Sequence, residues 1–247
     1  MAKAFKYLIL GLLSGGLLWG ADKPNFDELI PKFIAKVEAD SKYIGENFTH
    51  QEIEKIKNFK NETFESEKNT TYQVEKRGDA LYKKPVQRDG VIISNSDFEK
   101  KTELLSVGVA LLGRYDFVFE RVDGIDKNNF FVFSFKPKKG SLTFTGKKED
   151  AYGRMAGEIW ISKDDLTFKK LTAHLVMSVT FSNMWGKAKF ERLTCTMTAT
   201  NFEGHFAVES FSADYVYTVK AFSFIPILSN RHEVREVQYQ NYERRKQ

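Results

Sequence analysis

Residues 171–181 of the chain, LTAHLVMSVTF, alternate almost without interruption between apolar and polar side chains. The apolar set consists of Leu171, Ala173, Leu175, Met177, Val179 and Phe181. Because successive side chains of a β-strand point to opposite faces of its sheet, this pattern predicts one strand with a continuous apolar face. Such a face lines either a hydrophobic core or the inside of a pocket for an apolar ligand. The pattern leaves both interpretations open.

The sequence around this strand predicts a large antiparallel sheet. Nearly everything after Phe117 consists of apolar-polar alternation interrupted by short turn signals, and the chain contains 22 phenylalanines. The segment 128–137, NNFFVFSFKP, carries apolar residues on both of its faces. A strand of that kind is usually covered on both sides, which favours a strongly curved sheet or partial barrel.

Two helical segments accompany the predicted strands. In residues 26–56 the apolar residues Leu29, Phe33 and Val37 recur at helical spacing, and Gly45 is a candidate helix end. Residues 51–59 form either a second short helix or the first strand. A further helix is predicted from Asp97 to Gly113, with an apolar C-terminal half that would serve as a movable cover. The predicted fold class is α+β: a large curved antiparallel sheet, or open half-barrel, with helices on its concave face.

The N-terminus has the layout of a secretory signal peptide. Lys3 and Lys6 precede the apolar run YLILGLLSGGLLW, which ends shortly before Ala21. The run is shorter than the roughly 20 residues of a membrane span. We therefore predict a signal peptide at 1–21 and a single domain at 22–247. A single cysteine allows no intrachain disulfide, which favours a bacterial envelope over a eukaryotic secretory route, and we predict a location in the periplasm of a Gram-negative bacterium. An uncleaved N-terminal anchor is the alternative.

The sequence favours a protein without catalytic activity. Its four histidines show no metal-ligand spacing, and its single cysteine, Cys195, lies in an apolar strand pattern typical of a small buried hydrophobe. The formal net charge of +5 includes the two lysines of the leader, so the remaining chain is only mildly basic. Its basic runs are not interleaved with regularly spaced aromatics, which argues against nucleic acid. No cofactor and no metal site are predicted.

Several short motifs resemble a known family. They are the segments LLSVGVALLGRYDF at 104–117, GEIWIS at 157–162, the Lys163-Asp164-Asp165 turn and the closing EVQYQNYERRK at 236–246. Together they resemble uncharacterised bacterial envelope proteins related to the outer-membrane lipoprotein-sorting, LolA/LolB-like, superfamily. The resemblance implies an open, half-closed antiparallel barrel whose concave side holds helices and binds acyl chains or other lipidic cargo. None of the family's ligand residues maps onto a position of this chain.

These observations lead to a functional hypothesis. The protein is expected to be a non-enzymatic periplasmic carrier or binding protein for a lipid, an acyl chain or lipoprotein-type apolar cargo. An envelope or outer-membrane protein partner and peripheral contact with a membrane are compatible with it. The alternative is a structural or interaction module of the cell envelope with no ligand in its cavity. The candidate cavity residues are Leu104, Leu112, Ile161, Leu175, Met177, Val179, Phe181, Leu193, Phe211 and Tyr215.

Overall fold

The computed structural model describes residues 25–77, 80–101, 113–125, 128–139, 153–183, 186–221 and 227–245. Within these ranges it contains one helix and thirteen antiparallel strands. Helix α1 spans Phe26–Asn47. The strands are β1 Phe48–Lys60, β2 Thr63–Arg77, β3 Ala80–Arg88, β4 Val91–Ile92, β5 Glu99–Lys101, β6 Tyr115–Ile125, β7 Asn128–Pro137, β8 Met155–Ser162, β9 Phe168–Leu175, β10 Val179–Asn183, β11 Gly186–Phe202, β12 His205–Ala221 and β13 Ile227–Arg244.

All strands belong to one unclosed sheet. The strand order is β4-β3-β2-β1-β13-β12-β11-β9-β8-β7-β6, with β10 paired to β11 and β5 paired to β3. The sheet is an open half-barrel, and α1 lies on its concave face, so the predicted fold class is confirmed. The last strand, β13, lies between β1 and β12 and joins the N-terminal strands to the rest of the sheet.

Tight turns connect the long hairpins. Asn61-Glu62 joins β1 to β2 with φ angles of 48° and 66°, and Asp89-Gly90 joins β3 to β4 with φ angles of 48° and 83°. Glu203-Gly204 joins β11 to β12 with φ angles of 51° and 83°. Two successive residues with positive φ match the right-handed twist of the flanking strands, which makes such two-residue turns common in hairpins. Gly90 and Gly204, each at the second position of its turn, are thus short turn signals of the sequence that the structure uses.

Helix α1 forms because its apolar residues fall on one face. Leu29, Phe33 and Val37 are buried against the sheet, while Pro31 sits early enough in the helix to be tolerated. The helix continues two residues beyond Gly45, and the Asn47 side-chain amide donates to the Tyr43 carbonyl at 2.8 Å. Phe48 then takes an extended conformation and begins β1.

The stretch 171–181 is not one strand. Strand β9 ends at Leu175, and β10 begins at Val179. Both pair with β11, β10 over Gly186–Phe190 and β9 over Thr194–Thr198. Between these two stretches the pairing of β11 with β12 has a register shift, at Phe190/Arg192. Such a bulge locally bends a sheet. Residues 176–178, which connect β9 to β10 beside it, are irregular. The prediction of an uninterrupted strand was therefore wrong at this point.

The structure also tests two helix predictions. Residues 51–59 lie within strand β1, which decides between the two alternatives. Glu99–Lys101 form strand β5, which pairs with Leu81–Lys83, so the helix predicted to start at Asp97 does not start there. The polar Glu99–Lys101 segment adds hydrogen bonds to the β3 edge without needing an apolar face. The rest of that prediction, residues 102–112, lies outside the described residues.

Gly157 permits a close approach of two strands. A Cβ atom at this position would lie 1.8 Å from the Thr172 carbonyl oxygen and 2.7 Å from the Ala173 Cα. Both are backbone atoms of β9 and cannot rotate away. Glycine is therefore required here by the spacing between β8 and β9.

The concave face changes chemistry across the sheet. Directly opposed residues of antiparallel strands share a face, so the strand register defines rows that run across all the strands. One row consists of Phe119, Phe133, Ile159, Leu171, Met197, Phe211, Val237, Glu54 and Thr70. It is apolar from β6 to β13 and polar from β1 onward. Along this row the concave face thus has an apolar half, from β6 to β13, and a polar half, on β1 and β2.

Candidate functional site

Helix α1 fills the apolar half of the concave face. Phe33 and Val37 are 0% and 1% exposed, and they pack in one cluster with residues of β7 to β13. Near its start, the Phe26 ring stacks on Phe119 at 4.7 Å and meets Phe133 edge-on at 5.2 Å. The protein's own helix thus covers this surface.

The predicted cavity residues occupy different positions. Ile161, Val179, Leu193 and Phe211 are buried in the core cluster that contains α1. Leu175, Phe181 and Tyr215 are half-buried and pack against that cluster. Met177 is 49% exposed in the segment between β9 and β10, so it does not belong to the concave wall. Leu104 and Leu112 lie outside the described residues.

A buried carboxylate attaches α1 to the β11–β12 hairpin. Asp40 is 3% exposed and accepts a hydrogen bond from the Phe206 backbone N–H at 2.9 Å. Its other oxygen lies 2.9 Å from His205 Nδ1, and Lys36 Nζ donates to Asp40 at 2.7 Å. A carboxylate can only accept, so His205 Nδ1 carries the proton. The Tyr43 ring stacks on the imidazole of His205 with 3.8 Å between centroids.

These contacts also set the ionisation of Asp40. Burial by itself raises the pKa of this carboxyl group, because it penalises the charged form. The hydrogen bonds from Lys36, Phe206 and His205 outweigh burial, and the pKa of Asp40 is lowered below its usual 3.8. Asp40 is therefore an ionised anchor in a largely apolar interface.

A cavity of about 460 Å³ lies beside the C-terminal end of α1. Its apolar wall comes mainly from β12 and β13, and its charged residues come from β1, β2 and β3 and, with Arg235, from β13. The lining residues are Ser41, Ile44, Gly45, Phe48, His50, Glu52, Glu54, Tyr72, Lys76, Leu81, Lys83, Phe206, Ala207, Val208, Phe211, Arg235, Val237, Tyr239 and Tyr242. Its volume falls in the range of roughly 300–1,000 Å³ that is usual for small-molecule sites.

Glu52 is the most deeply buried charge of this cavity. It is 3% exposed, forms an ion pair with Lys83, and lies 3.5 Å from His50 Nε2. Burial raises its pKa, but the His50 and Lys83 contacts outweigh that effect and lower the pKa of Glu52 below its usual 4.5. Lys83 keeps 21% of its side chain exposed, so the pair extends from the protein interior to solvent.

A second group of charges lies next to it. Arg235 contacts Glu54 at 3.6 Å and Glu233 at 3.1 Å, and the Tyr72 hydroxyl donates to Glu54 at 3.4 Å. Burial lowers the pKa of Arg235, while the two carboxylates raise it by more, so the guanidinium stays charged. The cavity therefore combines fixed positive charges, fixed negative charges and an apolar wall.

The lining of this cavity overlaps little with the residues predicted from sequence. Of the eight candidate residues that the structure describes, Phe211 alone is among its lining residues. The available signal was the alternation of polar residues His50, Glu52 and Glu54 with the others in β1, which predicts that they share a face. Nothing local indicated that this polar face would point inward, because that follows from pairing with the distant strand β13.

The described residues offer little catalytic chemistry. They contain no group of three or more His, Cys, Asp or Glu side chains that could hold a metal ion. Burial raises the pKa of Cys195 to about 11, so its thiol stays protonated at neutral pH and is a poor nucleophile. Within the ranges that the structure describes, no helix has both the length and the apolarity to cross a bilayer.

Solved structures of other proteins show a limited similarity to this open sheet. No protein-family model and no curated protein matches the sequence. A LolA superfamily protein from Nitrosomonas europaea is similar at a TM-score of 0.35 and 12% identity, over 86% of this chain and 94% of that chain. A DUF1329 family protein from Desulfovibrio piger is similar at a TM-score of 0.39 and 10% identity, over 87% and 93%. An outer-membrane lipoprotein-sorting protein domain from Vibrio parahaemolyticus is similar at 0.38 and 8%, over 87% and 93%. LolA superfamily structures are thus among those this chain resembles, as its sequence motifs predict.

Proposed function

We propose that the protein is a non-enzymatic binding or carrier protein of the bacterial periplasm, and that its cargo is a lipid or another ligand with an acyl chain. The observation that carries the proposal is the cavity of about 460 Å³ between α1 and strands β1, β2, β3, β12 and β13. Its wall of Phe206, Val208, Phe211 and Val237 would remove an acyl chain from water. Each buried methylene group contributes about 0.8 kcal/mol before the costs of ordering the ligand.

Two features support the proposed periplasmic location and the proposed absence of catalysis. The leader at residues 1–21 has the layout of a secretory signal, which supports a periplasmic location. The protonated Cys195 thiol supports a binding role rather than nucleophilic catalysis. The charged groups of the cavity are engaged mainly with one another, in the Glu52–Lys83 and Glu54–Arg235 pairs.

Native mass spectrometry of the exported protein, purified without detergent, tests the proposal. We expect an additional mass that organic extraction releases as a lipid. Binding of an apolar fluorescent dye is then measured for wild type and for Ser41→Trp, in which the indole would occupy the cavity. We expect dye affinity to fall at least tenfold.

Lys42→Trp is the matched control for this experiment. Lys42 is the next residue of α1, and its side chain is 72% exposed, so the same indole there points to solvent. Equal dye affinity in wild type and Ser41→Trp would contradict the proposed site.

An interaction module without a cavity ligand is the second candidate function. One observation favours it: Leu29, Phe33 and Val37 of α1 already cover the apolar half of the concave face. A bare native mass, together with no saturable dye binding to the folded protein, would support this alternative over the carrier.

A further inference from the structure

The cavity has more positive than negative side chains. Among its lining residues, Glu52 pairs with Lys83, and Glu54 pairs with Arg235. Lys76 is the third positively charged residue of the lining, and it makes no ion pair with any residue in the described ranges. The charge of Lys76 is therefore not compensated by a carboxylate of the cavity wall.

Lys76 lies against the last turn of α1. A Cβ atom on Gly45 would come within 2.7 Å of the Lys76 Cδ and 3.5 Å of its Nζ, so the lysine side chain runs across the glycine. The partial negative charge of a helix C-terminus attracts such a cation. However, Arg245 Nη2 already donates to the Gly45 carbonyl at 3.1 Å. The ammonium group of Lys76 thus retains hydrogen-bonding capacity toward the cavity.

One buried polar atom on the α1 side of the cavity is also unpaired. Ser41 Oγ, four residues before Gly45 on α1, has no hydrogen-bond partner among the described residues. The Ser41 hydroxyl can act as a donor. Buried polar atoms in proteins are nearly always paired, with protein, water or ligand groups. A group rich in acceptor oxygens would complement this side of the cavity.

The two kinds of wall lie side by side on the sheet. The apolar residues Phe206, Val208 and Phe211 come from β12, whereas Lys76 and Lys83 come from β2 and β3. Neighbouring strands lie about 4.8 Å apart, so the four spacings from β12 to β3 amount to about 19 Å along the sheet. An extended ligand with a polar end and an apolar end would match both walls at once.

We propose that the cavity takes a single-chain amphiphile with an anionic head group, a carboxylate or a phosphate, bound at Lys76. This inference rests on the proposed function and adds the chemistry of the ligand to it. The acyl chain lies along Phe206, Val208 and Phe211, and the head group accepts hydrogen bonds from the Lys76 ammonium and the Ser41 hydroxyl. The Glu52–Lys83 pair stays intact and forms the rigid boundary of the head-group end.

Displacement of a bound apolar dye tests the inference with hexadecanoate, hexadecyl phosphate and hexadecanol. We expect both anionic compounds to displace the dye at concentrations at least tenfold lower than the uncharged alcohol. In Lys76→Met this preference should shrink to less than threefold, because methionine keeps most of the aliphatic stem and removes the charge. Lys83 is unsuitable for this test, since its loss would leave Glu52 buried without a counter-charge.

Lys84→Met is the matched control. Lys84 neighbours Lys83 on β3 but points to the opposite face of the sheet, so the tenfold preference should remain. Inorganic phosphate and acetate should not displace the dye, which separates a lipid head group from a free anion. Equal displacement by the alcohol and the anions, or an unchanged preference in Lys76→Met, would overturn the head-group assignment alone. No saturable binding of any amphiphile would overturn the proposed function and this inference together.

Discussion

Replacing Asp40 by alanine tests how α1 is held on the sheet. Asp40→Ala removes the acceptor of the Phe206 N–H, which is buried with its residue at 1% exposure, and of the His205 imidazole. A hydrogen bond to a charged group contributes roughly 1.5–3 kcal/mol, and an unsatisfied buried donor carries a further penalty. The Lys36 contact contributes less, because 30% of that side chain is exposed and water replaces the lost carboxylate.

We therefore expect Asp40→Ala to lower the free energy of unfolding by about 3 kcal/mol. Asp40→Asn should cost less, about 1–2 kcal/mol, because its amide oxygen still accepts one of the two hydrogen bonds. Urea unfolding followed by circular dichroism measures both. The free energy of unfolding should fall with urea concentration at about 3 kcal/mol/M. The urea concentration at the midpoint of unfolding should therefore be lower by about 1 M in Asp40→Ala. Glu38→Ala, on the exposed side of the same helix, is the control.

The pH dependence of the difference provides a second measurement. The folded-state pKa of Asp40 is lowered, so its contribution is complete above the usual 3.8 and is lost as pH falls through the folded pKa. The difference in the free energy of unfolding between wild type and Asp40→Asn should be constant near neutral pH and should become smaller below pH 3.8. A midpoint for Asp40→Ala within 0.2 M of wild type, on the order of one-fifth of the expected shift, would refute the anchoring role.

Further substitutions test the packing of the sheet and the cavity. Gly157→Ala should destabilise the protein by about 3 kcal/mol in urea unfolding, since the new methyl group meets backbone atoms; Gly113→Ala, with nothing within 4 Å, should stay within about 0.5 kcal/mol of wild type. Val179→Glu, at a site with 0% exposure, should abolish or severely impair folding, whereas thermal unfolding of Met177→Glu, at 49% exposure, should match wild type. Glu52→Gln should lose about 2 kcal/mol at neutral pH by leaving a cation uncompensated. This deficit should diminish as pH falls from 4.5 toward the lower pKa of folded Glu52, because the unfolded chain takes up the proton first.

Local pattern was sufficient for most elements of the fold. The helical spacing of Leu29, Phe33 and Val37 and the alternation in the Phe-rich strands predicted α1, the sheet and its curvature, because these features depend on which residues must be buried. The interruption after Leu175 was not predictable in the same way. It coincides with a register shift in β11, and Met177 continues the apolar face of the sequence pattern although the structure exposes its side chain.

The candidate site was harder to predict than the fold. Sequence reasoning assigned the ligand to the apolar residues, of which Ile161, Val179 and Leu193 proved to be core beneath α1. The cavity instead lies where polar residues such as Glu52 and Lys83 face inward. Charged residues are usually exposed, but Glu52 is buried. Its partner, Lys83, is 31 residues away in the sequence and lies on another strand. No local pattern contains that information.

The position of β13 has a consequence for how this protein is made. Strand β1 pairs with β13 over residues 48–60, near the opposite end of the chain, and β12 pairs with the other edge of the same strand. A chain synthesised from its N-terminus therefore carries β1, β2 and β3 as a separate meander until residues 227–244 emerge. During that time two long strand edges, those of β1 and β12, lack their partner and are open to pairing with other chains. Pairing of the final strand with both edges joins the two parts of the sheet and completes the cavity wall.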